Sequence, residues 1–331
     1  MKSRIAAAIL ASAACVVVNA LVHAADAKGD SAYPERPVRI VVPFPPGQSV
    51  DIVGRILAER YTDAFGKQFI IDNRTGAAGT IGTALVARAA PDGYTMLIVS
   101  NGTLAGNTAL WKEKLPYNAV KDFAPVINLI ATPQLLVASP SVPYRTVQDI
   151  VKDAKANPGK INYALPGVGN SSHLAMEMLR ARAGIDIVPV AYQGSPPAFI
   201  DIMSGRIPIM FEAASGVLVH VKSGKIRAIA TGGPERAVFL PDVPTVAESG
   251  YPGYSAVPWV GMVAPAGTPK AIVAKLYGEA VKLLQTAEGK ARIISMGMEP
   301  LGMNPAQFAA HIKTEIERWS KVVQDAGIKL E

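Results

Sequence analysis

Val38-Arg39-Ile40-Val41-Val42-Pro43-Phe44-Pro45-Pro46-Gly47-Gln48-Ser49-Val50-Asp51-Ile52-Val53-Gly54-Arg55-Ile56-Leu57 is the stretch that decides the fold. Its first five residues, all but one β-branched and apolar, read as a buried strand. A Pro/Gly turn stops it. Ile52, Val53, Ile56 and Leu57 then recur at helical spacing, with Asp51 in the first turn, where the helix dipole favours an acid. The same alternation runs outward from this unit. Stretches 69–71 and 96–99 read as strands, separated by a Gly-rich stretch, 76–82, that leads into an Ala-rich helix. Stretches 135–138, 161–165, 187–191, 207–211 and 226–230 are further strands interleaved with helices, one of them opened by Thr146 as N-cap. A strand at 259–264 and two helices, Lys270–Gln285 and Pro305–Asp325, close the chain. Repeated strand–helix–strand units predict an α/β fold with mainly parallel sheets covered on both faces.

At 331 residues, half apolar and 18% charged, the chain exceeds one ordinary core and predicts two lobes. That composition excludes a disordered chain and a coiled coil. The net charge of +7 is scattered along the chain, which argues against a nucleic-acid footprint. Lys2 and Arg4 precede an apolar run, 5–22, that ends in Val22-His23-Ala24. This reads as a secretory signal peptide over 1–24, with Ala27 as a second cleavage position. An uncleaved anchor and lipidation at Cys15 are the alternatives. Asn19 interrupts the run, no basic stop-transfer cluster follows, and Ser12-Ala13-Ala14 lacks the usual Leu before the cysteine. Cleavage removes Cys15, the single cysteine, and with it any disulfide, thiolate metal site or cysteine nucleophile.

In parallel sheets, ligands sit beyond the carboxyl ends of strands, beside helix N-termini. Four such turns are rich in small and hydroxylated residues: Gly47-Gln48-Ser49-Val50-Asp51, Ser100-Asn101-Gly102-Thr103, Gly167-Val168-Gly169-Asn170-Ser171-Ser172-His173 and Tyr192-Gln193-Gly194-Ser195. Any one of them reads equally as ordinary turn and N-cap chemistry. Together on the expected edge they also read as an anion site built from N–H donors, needing no Arg or Lys. His173 lies in one of these turns, and Glu212 at a strand end; both also have plain structural readings, as do Phe44 and Trp259. Enzyme signatures are weak. Gly167-Val168-Gly169 begins like a dinucleotide fingerprint but has Ser172 in place of the third glycine, with no acid at the expected distance. Neither G-x-S-x-G nor H-E-x-x-H occurs, and His173, His220 and His311 lie far apart in the chain. No cofactor and no metal site are expected.

The blocks Tyr33-Pro34-Glu35-Arg36-Pro37-Val38 through Gly47, Asp72-Asn73-Arg74-Thr75-Gly76, Ala90-Pro91-Asp92-Gly93-Tyr94, Leu115-Pro116-Tyr117, Lys121-Asp122-Phe123-Ala124-Pro125, Ser171-Ser172-His173-Leu174, Leu240-Pro241-Asp242-Val243-Pro244-Thr245 and Ala264-Pro265-Ala266-Gly267-Thr268-Pro269 give the chain a family likeness. In this order they resemble the Bug-type extracytoplasmic solute-binding receptors of tripartite tricarboxylate transporters. The resemblance covers essentially all of the chain after the leader. It implies a type II-like, two-lobed periplasmic-binding-protein fold, with lobe I at 33–133 plus 246–331 and lobe II at 134–245. The two crossover segments, near 131–135 and within 240–256, would be the hinge. It also implies a small organic carboxylate held mainly by backbone N–H groups and water, delivered by a monomer to membrane permease subunits. Carried over, the first-lobe contacts are Phe44, Gly47, Gln48, Ser49, Val50, Asp51, Asn101, Gly102 and Thr103. The second-lobe contacts are Asn170, Ser171, Ser172, His173, Gly194, Ser195 and Glu212. Two departures stand out: Gln48 and Val50 where the family usually has Gly and Thr, and Glu212 where it commonly has Asp. A sensor subunit for a signalling partner and an exported enzyme acting on carboxylic acids are the rival functions.

Overall fold

The computed structural model describes residues 33–167 and 170–325. The expected leader lies outside them, as do Val168 and Gly169 of the third turn. The deciding stretch forms β1 (Val38–Val42) and α1 (Ser49–Phe65). There follow β2 (Phe69–Asn73), α2 (Thr80–Ala87), β3 (Thr95–Ser100), α3 (Asn107–Trp111), β4 (Phe123–Ala131) and β5 (Gln134–Ala138). The middle of the chain adds α4 (Val147–Ala156), β6 (Asn162–Leu165), α5 (Ser171–Ala183), β7 (Val188–Ala191), α6 (Ser195–Met203), β8 (Ile209–Ala213), α7 (Ala214–Lys222) and β9 (Arg227–Thr231). The rest of the described chain adds β10 (Trp259–Pro265), α8 (Lys270–Gln285), α9 (Ala287–Ser295), β11 (Glu299–Met303) and α10 (Pro305–Asp325).

These strands make two sheets, ordered β11-β4-β10-β3-β1-β2 and β7-β6-β8-β5-β9. The central strands β3, β5 and β10 are covered on both faces and buried almost throughout. In the first sheet Ile40, Val42, Met96 and Ile98 pack toward α1 and α8, with Val53, Leu57 and Leu276. The alternate residues Val41, Leu97 and Val99 pack with Val86 of α2 and with Phe308 and Ile312 of α10. In the second sheet Leu136, Tyr163, Ile209 and Phe211 face Ile150 and Leu179, while Leu135, Val137, Ala164 and Met210 face Phe199, Ile202 and Val217.

Most strands of each sheet share one direction, and antiparallel strands are inserted among them. β2-β1-β3 and β7-β6-β8 pair in parallel, whereas β10 is antiparallel to β3 and β4, and β5 to β8 and β9. β1–β4 and β6–β9 run toward the edge where the chain changes sheets; β5, β10 and β11 start at that edge and run away from it. β4 ends at Ala131 opposite Trp259, where β10 begins, and only Thr132 and Pro133 separate β4 from β5. The returning segment lies alongside: Thr132 N donates to Pro258 O (2.7 Å), Gln134 N to Ala256 O (3.2 Å), and Ala256 N to Gly232 O (2.7 Å). Val246, Tyr254 and Ala256 are buried in the core under the second sheet. The stretch 246–256, expected in the first lobe, therefore packs with the second, because its aromatic and aliphatic side chains fill the space between α5 and β8. α10 spans both halves: Trp319 and Val323 pack with Ala105, Ala109 and Leu174, and an Arg318 guanidinium N–H donates to Ser255 O.

Candidate functional site

At the edge of the first sheet, the turn after β1 is held by a buried acid. Asp51 is 1% exposed. Its Oδ2 accepts from Gly47 N (2.9 Å) and Arg55 Nε (2.8 Å), and its Oδ1 from Asn73 Nδ2 (2.9 Å) and Arg55 Nη2 (3.1 Å). Burial alone would raise its pKa, but these donors outweigh it and hold the carboxyl below its ordinary value. The same Asn73 amide donates to Phe44 O at 2.9 Å. Asp51 is thus a bracket for the loop, and the Val50 side chain lies in the first core. What α1 turns outward at this point is its first-turn N–H groups, which have no intrahelical acceptor. Gln48, the N-cap, is extended and exposed and makes no capping bond. Gly47, at φ +87°, is in the left-handed region that a side chain resists.

The turn after β3 enters a wide π-type turn, Gly102–Gly106, before α3. Thr103 is fully buried: its Oγ1 accepts from Ser100 N (3.0 Å) and donates to Ser100 O (3.0 Å), so the hydroxyl is spent on the turn. Asn101 is buried and Gly102 exposed. Gly79 joins the two first-sheet turns. A Cβ placed on it would lie 2.8 Å from Thr103 Cγ2 and 3.2 Å from Phe44 Cζ, and its φ is +83°. Only glycine allows the half-buried Phe44 ring and the Thr103 turn to approach this closely.

At the edge of the second sheet, Asn170 caps α5, its Oδ1 accepting from His173 N at 2.9 Å. The Ser171 and Ser172 hydroxyls are both engaged by Gln134, which is fully buried at the start of β5. Gln134 Nε2 donates to Ser171 Oγ (3.3 Å), and Ser172 Oγ donates to Gln134 Oε1 (3.0 Å). The serine N–H groups at the head of α5 have no intrahelical acceptor. His173 Nε2 is 3.8 Å from Glu177 Oε1. Burial lowers its pKa, against the pull of Glu177 and with the push of Arg180. Gly194 N is used by Pro166 O at 3.2 Å, and Pro196 and Pro197 remove two N–H groups from the head of α6. That helix therefore offers less than the sequence suggests: the Ser195 N–H, and a hydroxyl that donates to Glu212 Oε2 at 2.6 Å.

Glu212, near the end of β8, accepts a second bond from Ala213 N at 3.1 Å. Burial pushes its carboxyl up to about 7, while these two bonds pull it back. Asp51 and Glu212, one at each edge, are buried acids with opposite environments. The structure so gathers Phe44, Gly47–Asp51 and Asn101–Thr103 at the first edge and Asn170–His173, Ser195 and Glu212 at the second. Both edges lie at the Thr132–Gln134 crossing, where β4, β8 and β9 end and β5 begins. Asn73, Gly79 and Gln134 are the residues missed. The signal for Gln134 was a lone amide opening an apolar strand. Among the described residues no cluster of His and acidic side chains is arranged to hold a metal ion, and no helix is long and apolar enough to cross a membrane.

The model of the tripartite tricarboxylate transporter family receptor matches residues 53–328. BugT of Bordetella pertussis is 36% identical over 298 residues, covering 90% of this chain and 91% of that one. A protein of R. palustris solved with adipate superposes with a TM-score of 0.82 at 34% identity, covering 90% of this chain and 99% of that one. MatC from Rhodopseudomonas palustris, solved with bound malate, gives 0.76 at 32% identity, covering 88% and 100%. With the fold and nearly the full described length in common, this chain belongs to the Bug-type receptors of the tripartite tricarboxylate transporter family.

Proposed function

We propose that the receptor captures a small organic carboxylate between its two sheet-centred lobes and delivers it to the membrane permease of a tripartite transporter. The hinge in this reading is Thr132–Gln134 with its neighbours Gly232 and Ala256–Pro258. What supports it is that α1 and α5 both open at the sheet edges beside the crossing, each with first-turn N–H groups that lack an intrahelical acceptor. Each helix end contributes about 0.3–1 kcal/mol toward an anion, and each N–H bond to a carboxylate about 1.5–3 kcal/mol. Four or five such bonds, less the immobilisation of the ligand, bring micromolar affinity within reach. The carboxylates in the two R. palustris structures support this ligand class. Binding asks for no reactive side chain, and the family is one of receptors rather than enzymes. We place the protein in the periplasm, exported by the leader at 1–24 and acting as a monomer.

The test is thermal unfolding of the natively purified protein against a panel of mono-, di- and tricarboxylates that includes adipate and malate. A true ligand at a hundredfold excess over its Kd stabilises by about 2.7 kcal/mol. A clear upward shift with a few acids is expected; no shift across the panel refutes the reading. Amino-terminal sequencing of the exported protein should begin at Ala25 if the leader is cut where its small residues indicate.

A further inference from the structure

Glu212 has an unusual set of neighbours for a buried acid. It is 7% exposed, and its two oxygens are taken by neutral donors, the Ser195 hydroxyl and the Ala213 N–H. Gly216 lies beside it: a Cβ there would sit 3.4 Å from Oε1. Among the described residues no cation offsets its charge, whereas Asp51 at the opposite edge has Arg55. Buried acids without a cationic partner keep their proton rather than pay for desolvation. The charged and titratable groups on the surrounding elements are engaged elsewhere or lie at far ends. On α5, Glu177 is bonded to Tyr163 and Arg180, His173 is beside Glu177, and Arg182 donates to Pro252 O. On α6, Asp201 is bonded to Tyr192 and paired with Arg206. On α7, His220 and Lys222 sit in the last turn, and β5 carries no charge.

Resting on the carboxylate reading above, we propose that Glu212 enters the complex as the neutral acid and donates its O–H to an oxygen of the bound carboxylate, so that the receptor takes up ligand and one proton together. The proton comes from solvent and stays on Glu212; no bond to carbon changes. An ionised Glu212 would put two like charges in one water-poor site, whereas the neutral form adds a donor to a ring of N–H donors. A ligand anion nearby raises the proton affinity of Glu212 further, in the direction that burial has already moved it.

Calorimetric titration with adipate and with malate, at pH 6.5 and 8.5 in buffers of different ionisation enthalpy, tests the proposal. With half-protonation near 7 in the free protein, the binding-competent fraction, and hence the affinity, should fall roughly 25-fold between the two pH values. Proton uptake should approach one per ligand at pH 8.5. Glu212→Gln, a permanent donor of similar shape, should bind equally at both pH values and take up no proton. Less than a twofold change for the wild type, or an unaltered pH dependence in E212Q, overturns the proposal. Infrared titration of the free protein, wild type against E212Q, separates this from the choice of ligand. A protonated-carboxyl band lost near pH 7 is expected. If neither acid binds, the carboxylate reading loses its support while the band still decides the proton, and a midpoint near 4–5 overturns it.

Discussion

Replacing Asp51 with alanine should lower stability by about 3–4 kcal/mol at pH 7. The Gly47 N–H and the Asn73 amide each donate to this buried carboxylate, and bonds to a charged acceptor contribute about 1.5–3 kcal/mol each. The lower end applies to both, because Asn73 keeps its bond to Phe44 O and Gly47 lies in an exposed turn where water replaces the lost acceptor. Arg55 is 55% exposed, so its pair with Asp51 adds no more than about 1 kcal/mol. The pH dependence has a definite sign. The folded carboxyl titrates below its unfolded value of about 3.9, so the unfolded chain takes the proton first on acidification. The contribution is complete above that value and fades as pH falls through the lower, folded value. Urea unfolding followed by tryptophan fluorescence at pH 7, 5 and 3 measures this directly. A gap between wild type and D51A below about 1 kcal/mol at pH 7, or one undiminished in acid, would refute the bracket.

Gln134→Leu should cost about 2 kcal/mol by stranding the Ser172 hydroxyl, and Ser172→Ala about 1 kcal/mol; in the double variant the loss should be about 1 kcal/mol less than additive, since no polar atom at that contact is then left unpaired. A double-mutant cycle by urea unfolding checks this, and strict additivity counts against the contact. Gly79→Ala must hold a side chain at φ +83° against Thr103 and Phe44, so a loss of about 2 kcal/mol is expected in thermal unfolding, with weaker binding of whichever acid the panel identifies. Trp319→Ala should cost about 3–5 kcal/mol, the range for emptying a buried aromatic site. Hydrogen exchange should then rise at the π-type turn and the head of α5; unchanged protection there would mean that α10 does not join the halves.

Elements whose burial is periodic were legible in the sequence. β1, α8 and α10 lie where the apolar pattern puts them, and Thr146 caps α4 through a capping box with Asp149. β4 escaped notice because Pro125 and Asn128 interrupt its pattern; its pairing with β10 accommodates them through shifts in register. β11 was missed for the same reason, with Pro300 and Gly302 in five residues. Which strands run against the rest, β5, β10 and β11, is not legible locally, because strand direction depends on which edge the chain enters from, and that is a property of the crossings. At the candidate site, the sequence shows the glycines, hydroxyls and Asn170 of the turns, but not the partners that hold them. Ser172 and Thr103 look like donors to a ligand until their hydroxyls are seen to donate to Gln134 and to Ser100 O. Val50 reads as a lost hydroxyl and is a core residue.

The placement of β10 between β3 and β4 bears on how the molecule is built up during synthesis. A chain grown only as far as β9 holds every strand of the second sheet, yet its first sheet is in two pieces, β2-β1-β3 and a solitary β4. The half that begins first is completed last, and its central pairing closes a long loop, the kind of contact that slows folding. The second half can therefore ripen as a unit once Ala256 is made, while its neighbour waits for β10 and β11 to arrive.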